Sequence, residues 1–261
     1  MEKNPITLTV LGCGTSSGVP LLFCKCKVCR SKDPKNNRLR ASVWIQTEKK
    51  SFLIDSSTDL RQQALKAKIP KIDAVLYTHP HADHISGIDE LRSFNFIQKS
   101  SIPVYGNLWS QKELTSRYPY IFNPGPIEGG GIPLLDFHLI GEDKDEVYIS
   151  GVKFTIIRVS HGSKECLGYR IGSVAYLTDC SYIPNKSMEQ LMELDLLVLD
   201  CLRIEQHPTH LNLDQSLDVS AKLKPRKTIL THLGHDFDYH QTNKRLPKGV
   251  RLAYDGLTLK I

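Results

Sequence analysis

The chain has 261 residues, 40% of them hydrophobic and 24% charged, with a formal net charge of +6. This composition supplies one sizeable core and excludes a disordered or collagen-like chain, and no apolar run approaches the length of a bilayer span. The positive balance is spread over short runs, such as residues 25–35 and 38–40, so it slightly favours anionic substrates without marking a nucleic-acid arm.

Met1-Glu2-Lys3-Asn4-Pro5 shows no charged region followed by an apolar one, which predicts a cytoplasmic protein with no membrane partner. Seven cysteines, an odd number with three bunched together, fit a reducing compartment and thiolate metal binding better than a disulfide framework. No Pro/Gly/Ser-rich hinge, low-complexity run or repeat divides residues 1–261, so one domain is expected.

Residues 6–11 alternate like a strand and run into Gly12-Cys13-Gly14-Thr15-Ser16-Ser17-Gly18-Val19-Pro20. This turn is not a dinucleotide loop, because its third glycine comes one residue too late, and no Gly-Lys-Ser/Thr follows for a phosphate loop. Its glycines are read as letting backbone pass close to a site. Cys24-Lys25-Cys26-Lys27-Val28-Cys29 is too polar and too rich in thiols for a core element, and tetrahedral zinc needs a fourth donor from elsewhere. Residues 42–47 and 51–54 form a hairpin around Glu48-Lys49-Lys50, and a helix follows Asp55 to about residue 68 with Thr58 or Asp59 as its N-cap.

An apolar run, residues 72–77, leads into Thr78-His79-Pro80-His81-Ala82-Asp83-His84, followed by a helical-looking stretch over residues 85–96. Three imidazoles and a carboxylate this close are donors for zinc, manganese or iron, and a strand-to-helix loop can aim alternate side chains at one or two ions. The spacing differs from the helical H-E-x-x-H of zinc proteases. Residues 102–106 read as a strand and 108–118 as a helix. Residues 118–131, with Pro119, Pro124, Pro126 and Gly129-Gly130-Gly131, read as an irregular loop, either a substrate flap or a surface excursion.

The second half repeats one grammar. Strands over residues 152–160, 174–178 and 228–231 each end in Ser or Thr followed by His161, Asp179 and His232, as residues 72–77 end in Thr78 and His79. Ligands at matching strand ends converge on one sheet edge, where α/β folds place their sites. A strand over 194–200 and a helix over 213–223, stopped by Pro225, flank a loop carrying His207 and His210; one of these is placed to donate a proton. His235 and His240 are spare imidazoles, and His235 is close enough to the metal edge to complete the cysteine cluster. Strands over 251–254 and 257–261 close the chain around Asp255-Gly256.

His-x-His-x-Asp-His at 79–84 resembles the signature loop of the metallo-β-lactamase superfamily. The Gly-Thr-Ser-Ser-Gly-Val-Pro opening, Cys-x-Cys-x-x-Cys, Thr-Asp, Thr-His-x-x-His and Tyr-Asp-Gly are similar to its PhnP family of phosphoribosyl cyclic phosphodiesterases. The resemblance implies an α/β fold, a four-layer αββα sandwich with a zinc-binding insertion near residues 20–38. It implies one metal on His79, His81 and His161, a second on Asp83, His84 and His232, Asp179 bridging both, and Asp55 bracing the histidine loop. By the same resemblance Cys24, Cys26, Cys29 and His235 are expected to hold a structural zinc, and the donors of the catalytic pair suit zinc, manganese or iron. The resemblance also implies that Asp83 orients the nucleophile and that His210, or else His207, protonates the leaving group. The implied substrate is 5-phosphoribosyl 1,2-cyclic phosphate, with Arg203 meeting the distal phosphate, and the implied assembly a homodimer without nucleic acid. The rival readings are a tRNase Z-like RNA phosphodiesterase and a non-catalytic PqqB-like accessory metalloprotein.

Overall fold

A computed structural model describes residues 5–125 and 131–261. It contains two seven-stranded sheets packed face to face. The first runs, edge to edge, β14 (Thr258–Lys260), β1 (Thr7–Gly12), β2 (Ser42–Gln46), β3 (Ser51–Ile54), β4 (Ala74–Leu76), β5 (Ile102–Gly106) and β6 (Leu135–Leu139). The second runs β13 (Val250–Leu252), β12 (Lys227–Thr231), β11 (Leu196–Asp200), β10 (Val174–Leu177), β9 (Lys164–Ile171), β8 (Val152–His161) and β7 (Glu146–Ile149).

Each sheet is half antiparallel and half parallel. β3 to β6 and β10 to β13 pair in parallel, and the strands outside them alternate. Parallel strands covered on both faces should be apolar throughout, and Val174-Ala-Tyr-Leu177 and Leu196-Leu-Val-Leu199 are buried at every position. Between the sheets, Phe52 of β3 meets Phe154 of β8 edge to face at 5.0 Å, joining the two inner faces in one core.

Helices form the outer layers. On the first sheet they are α1 (Leu60–Ala67), α2 (Ala82–Ile85), α3 (Arg92–Gln98), α4 (Leu108–Arg117) and α5 (Pro119–Phe122), with Leu60, Ile85, Phe94 and Leu114 buried in a second cluster. On the other sheet lie α6 (Asn185–Gln190), α7 (Leu213–Leu223) and α8 (Tyr239–Asn243). The expected αββα sandwich is therefore present. α7 matches its sequence signals: Asn212 and Gln215 form a capping box, and Lys224 ends the helix in the left-handed conformation before Pro225.

The helix expected over 85–96 is instead three short pieces, α2, a 3₁₀ turn at Ile88–Leu91, and α3. The break falls at Gly87, whose N–H donates to Ser56 O at 2.9 Å; a Cβ there would lie 2.1 Å from Ser57 O. The chain must touch the loop after β3, and a continuous helix cannot. The loop expected over 118–131 holds α5; Pro126, Gly129 and Gly130 lie outside the described residues. Strands β6, β7 and β9 were not anticipated.

Candidate active site

β8, β10, β11 and β12 point the same way, so their C-terminal ends share one edge, and the segment leaving β4 of the other sheet meets the second sheet where Leu167 N–H donates to Thr78 O at 2.9 Å. His161, Asp179, Asp200 and His232 sit at or just beyond those ends, and His79 lies on that segment. Asp55, Asp179 and His232 have φ of 63°, 52° and 58°, a left-handed conformation that turns each side chain sharply off its strand.

Asp55 organises the histidine loop. Its carboxylate accepts from Thr78 N–H and Thr78 Oγ1–H, both at 2.8 Å, and from His84 Nδ1–H at 2.7 Å. Because the Thr78 hydroxyl proton goes to Asp55, His79 Nδ1–H donates to Thr78 Oγ1 at 3.1 Å. His161 Nδ1–H likewise donates to Thr209 O at 2.8 Å. These bonds leave the Nε2 lone pairs of His79, His84 and His161 for the site.

Two donor groups result. In the first, the ligand atoms of His79, His81 and His161 lie within 4.8 Å of one another, as do those of Asp83, His84, Asp179 and His232 in the second. Asp179 spans the pair: Oδ1 is 3.7 Å from His79 Nε2 and 3.5 Å from His232 Nε2, and Oδ2 is 3.2 Å from His84 Nε2. All seven residues singled out from the sequence thus come together.

The arrangement fits bound cations. His79 Nε2 and His81 Nδ1 are 2.9 Å apart, and the tautomer fixed by Thr78 makes His79 Nε2 a lone pair facing its neighbour. His84 Nε2 and both ring nitrogens of His232 are buried without a hydrogen bond. Buried polar atoms left unsatisfied are rare, and a site of imidazole and carboxylate donors is what divalent ions require. Electrostatics without an ion show the same tension. Burial opposes ionisation of Asp83, yet His84 and His232 hold its carboxyl below the usual range. Burial also opposes a charge on His232, while Asp179 and Asp83 pull it up to about 9.

A buried carboxylate that the sequence reading passed over stands beside this cradle. Asp200 lies 3.3 Å from His210 Nδ1 and 3.7 Å from His232 Nδ1, and accepts from Leu211 N–H at 3.1 Å. It follows the strand-end grammar in placement but lacks the Ser or Thr before it. His210 is buried, its ring 4.8 Å from His161 and 4.9 Å from His232, with Nε2 3.8 Å from Asp179 Oδ1. His207 is farther out, half-buried, and accepts from Thr209 N–H at 3.3 Å. Arg203 is half-buried, and its Nε and Nη2 donate to Glu205 O and Gln206 O in its own loop.

The cysteine cluster forms as expected. The ligand atoms of Cys24, Cys26, Cys29 and His235 lie within 4.8 Å of one another, with His235 Nδ1 3.4 Å from Cys24 Sγ and 3.5 Å from Cys26 Sγ. The Cys29 N–H pulls the Cys26 thiol down to about 6, and burial pushes Cys29 up to about 11. Four soft or borderline donors suit a tetrahedral zinc with no position left for water. Behind them the buried Arg38 donates to Gly234 O at 2.8 Å and Phe237 O at 2.5 Å, clamping the loop that carries His235. His240 points elsewhere, to Asp33 at 3.0 Å.

Among the described residues, no helix is long and apolar enough to cross a membrane. The sequence profile of a beta-lactamase superfamily domain matches residues 50–233. A crystal structure of a new diphosphatase from the PhnP family is 45% identical, with a TM-score of 0.91 over 98% of this chain and 97% of that one. A Porphyromonas gingivalis octanoyltransferase is 38% identical over 95% of this chain and 50% of its own length. Ribonuclease Z of Clostridioides difficile is 29% identical over 63% of this chain and 48% of its own. The chain therefore spans about half the length of these curated relatives.

Proposed function

This chain belongs to the beta-lactamase superfamily, and from that premise we propose that it is a metal-dependent phosphodiesterase acting on a small cyclic phosphate ester, in the first instance 5-phosphoribosyl 1,2-cyclic phosphate. The observation that carries the reading is the Asp200–His210 pair set against a cradle of seven metal-type donors. Similarity to a PhnP-family diphosphatase over nearly the whole chain supports phosphate chemistry.

His79, His81 and His161 would hold one divalent ion and Asp83, His84 and His232 another, with Asp179 between them. Ions there supply Lewis acidity, making water nucleophilic near neutral pH and offsetting charge on the phosphoryl oxygens. The protein's own groups do the rest. Asp83, whose carboxylate lies 3.1 Å from His84 Nε2 and 3.5 Å from His232 Nε2, would accept a hydrogen bond from the attacking water and orient it. As an imidazolium, His210 gives its Nδ1–H to Asp200 and keeps a second proton on Nε2, on the site side, which it delivers to the departing sugar oxygen. Asp200 holds that orientation because Leu211 N–H and the end of β11 fix it.

The Cys24, Cys26, Cys29 and His235 cluster is read as a structural zinc site that secures the loop after His232. The P. gingivalis octanoyltransferase is matched over only half of its own length, so its name carries no assignment of acyl transfer to this chain.

The test is a metal-replete assay against 5-phosphoribosyl 1,2-cyclic phosphate, bis(p-nitrophenyl) phosphate and a precursor tRNA, with product identified by phosphorus NMR. Preferred turnover of the cyclic sugar phosphate to a monoester supports the reading. Preferred tRNA cleavage, or no phosphodiester turnover with both sites loaded, overturns it.

A further inference from the structure

We infer that Trp109, Lys112 and Lys164 form a second anion subsite, which takes a phosphate lying beyond the phosphorus under attack. This rests on the phosphodiesterase reading above and assigns its substrate specificity to residues outside the metal cradle.

Three observations converge on this face. The Trp109 ring stands edge-on to His81, with centroids 5.4 Å apart, and lies 6.0 Å from His79. It is therefore the aromatic wall beside the exposed ligand of the first donor group. Lys164, at the start of β9 just past His161, places Nζ 5.8 Å from the Trp109 centroid. Trp109, Lys112 and Lys164 share the lining of a cavity of about 720 Å³ that abuts the site.

The charge balance of that cavity favours an anion. Among the described residues, neither Lys112 nor Lys164 makes an ion pair with a carboxylate. Of the carboxylates on the rim, Glu165 is held by Arg158 at 2.7 Å and Asp143 faces Lys144 at 3.4 Å, leaving Glu142. The opposite cavity, beside His207, carries Glu205 and Asp236 against one cation, Arg203, and that guanidinium is already bonded to its own loop. A distal phosphate thus meets two ammonium groups without carboxylate partners on the Trp109 side, and on the other a single guanidinium among two carboxylates. The indole face supplies a flat apolar floor for the sugar between the two phosphates. Lysine binds phosphate as a flexible point charge, so the subsite selects charge position more than ring identity.

The test is calorimetric titration of the metal-loaded protein with ribose 1,5-bisphosphate and ribose 1-phosphate, which reads the subsite without requiring turnover. The wild-type protein should bind the bisphosphate about tenfold or more tightly than the monophosphate, the scale of one hydrogen bond to a charged group. The K112A/K164A double variant, changed only at exposed positions, should bring the two affinities together while monophosphate binding stays within twofold. Trp109→Ala should weaken both, and Trp109→Phe should restore them. A gap that survives in the double variant, or no gap in the wild type, overturns the subsite. Failure of the cyclic phosphate assay with the gap intact would instead overturn only the proposed reaction.

Discussion

His84 Nδ1 lies 2.7 Å from Asp55 Oδ2, and both side chains are fully buried. The same carboxylate also holds Thr78, which in turn fixes the tautomer of His79. One acid behind the loop therefore aims donors in both metal groups. Removing a partner that orients a ligand typically costs about 10–100-fold in metal affinity. Asp55→Ala should lose that much at both sites, measured by competition with a chromophoric chelator. Unchanged affinity at equal folded content would remove Asp55 from this role.

His210→Ala should lower turnover of an alkyl phosphodiester by about 10²–10⁴-fold, the range for a positioned general acid, with metal content unchanged. An aryl leaving group, already acidic, should lose far less. Asp200→Asn should follow the same pattern more weakly, because the amide still accepts from Leu211 N–H but no longer stabilises a charged imidazole. Equal losses on alkyl and aryl substrates would exclude His210, and His207→Ala becomes the next comparison.

Cys26→Ala should reduce bound zinc by about one ion per chain and lower the thermal midpoint, since a structural site contributes directly to folding free energy. His235→Ala should do likewise. His240→Ala should retain the zinc, because that imidazole is paired with Asp33 outside the cluster. Full zinc content in the His235 variant would contradict the assignment.

Asp255 gives a pH dependence apart from the metals. Its carboxylate accepts from Cys13 N–H at 3.1 Å and Leu39 N–H at 2.8 Å, but burial pushes it up to about 6. The ordinary carboxyl value of about 3.9 applies in the unfolded chain, so the folded form holds the extra proton between those values. Stability from this group is present at low pH and lost as pH rises through about 6. Asp255→Asn should gain roughly 1–2 kcal/mol on the wild type between pH 5 and pH 8, read from paired denaturant melts. A difference independent of pH would contradict this.

The metal cradle was legible in the sequence because imidazole and carboxylate at strand ends are chemically specific and local. Asp200 was not singled out: it closes an apolar strand like any turn residue, and only packing brings it to His210. β7 is an edge strand with Glu146 and Tyr148 exposed, and β9 opens on Lys164-Glu165, so neither shows a clean apolar alternation. Pairing with β8 makes them strands. The break at Gly87 and the commitment of Arg203 to its own loop likewise depend on contacts that spacing does not encode.

The cradle draws its donors from both sheets: residues 79–84 follow β4 of one, and His161, Asp179 and His232 come from the other. Near the site the sheets are otherwise tied by bonds such as Tyr169 Oη–H to Tyr77 O at 2.6 Å and Leu167 N–H to Thr78 O at 2.9 Å. Ions held there would rivet one half of the molecule to the other. Metal affinity and the cohesion of the seam then become one quantity, in which each tenfold excess of free metal over its dissociation constant adds about 1.4 kcal/mol against separation. A metal buffer would set how tightly this protein is sewn together.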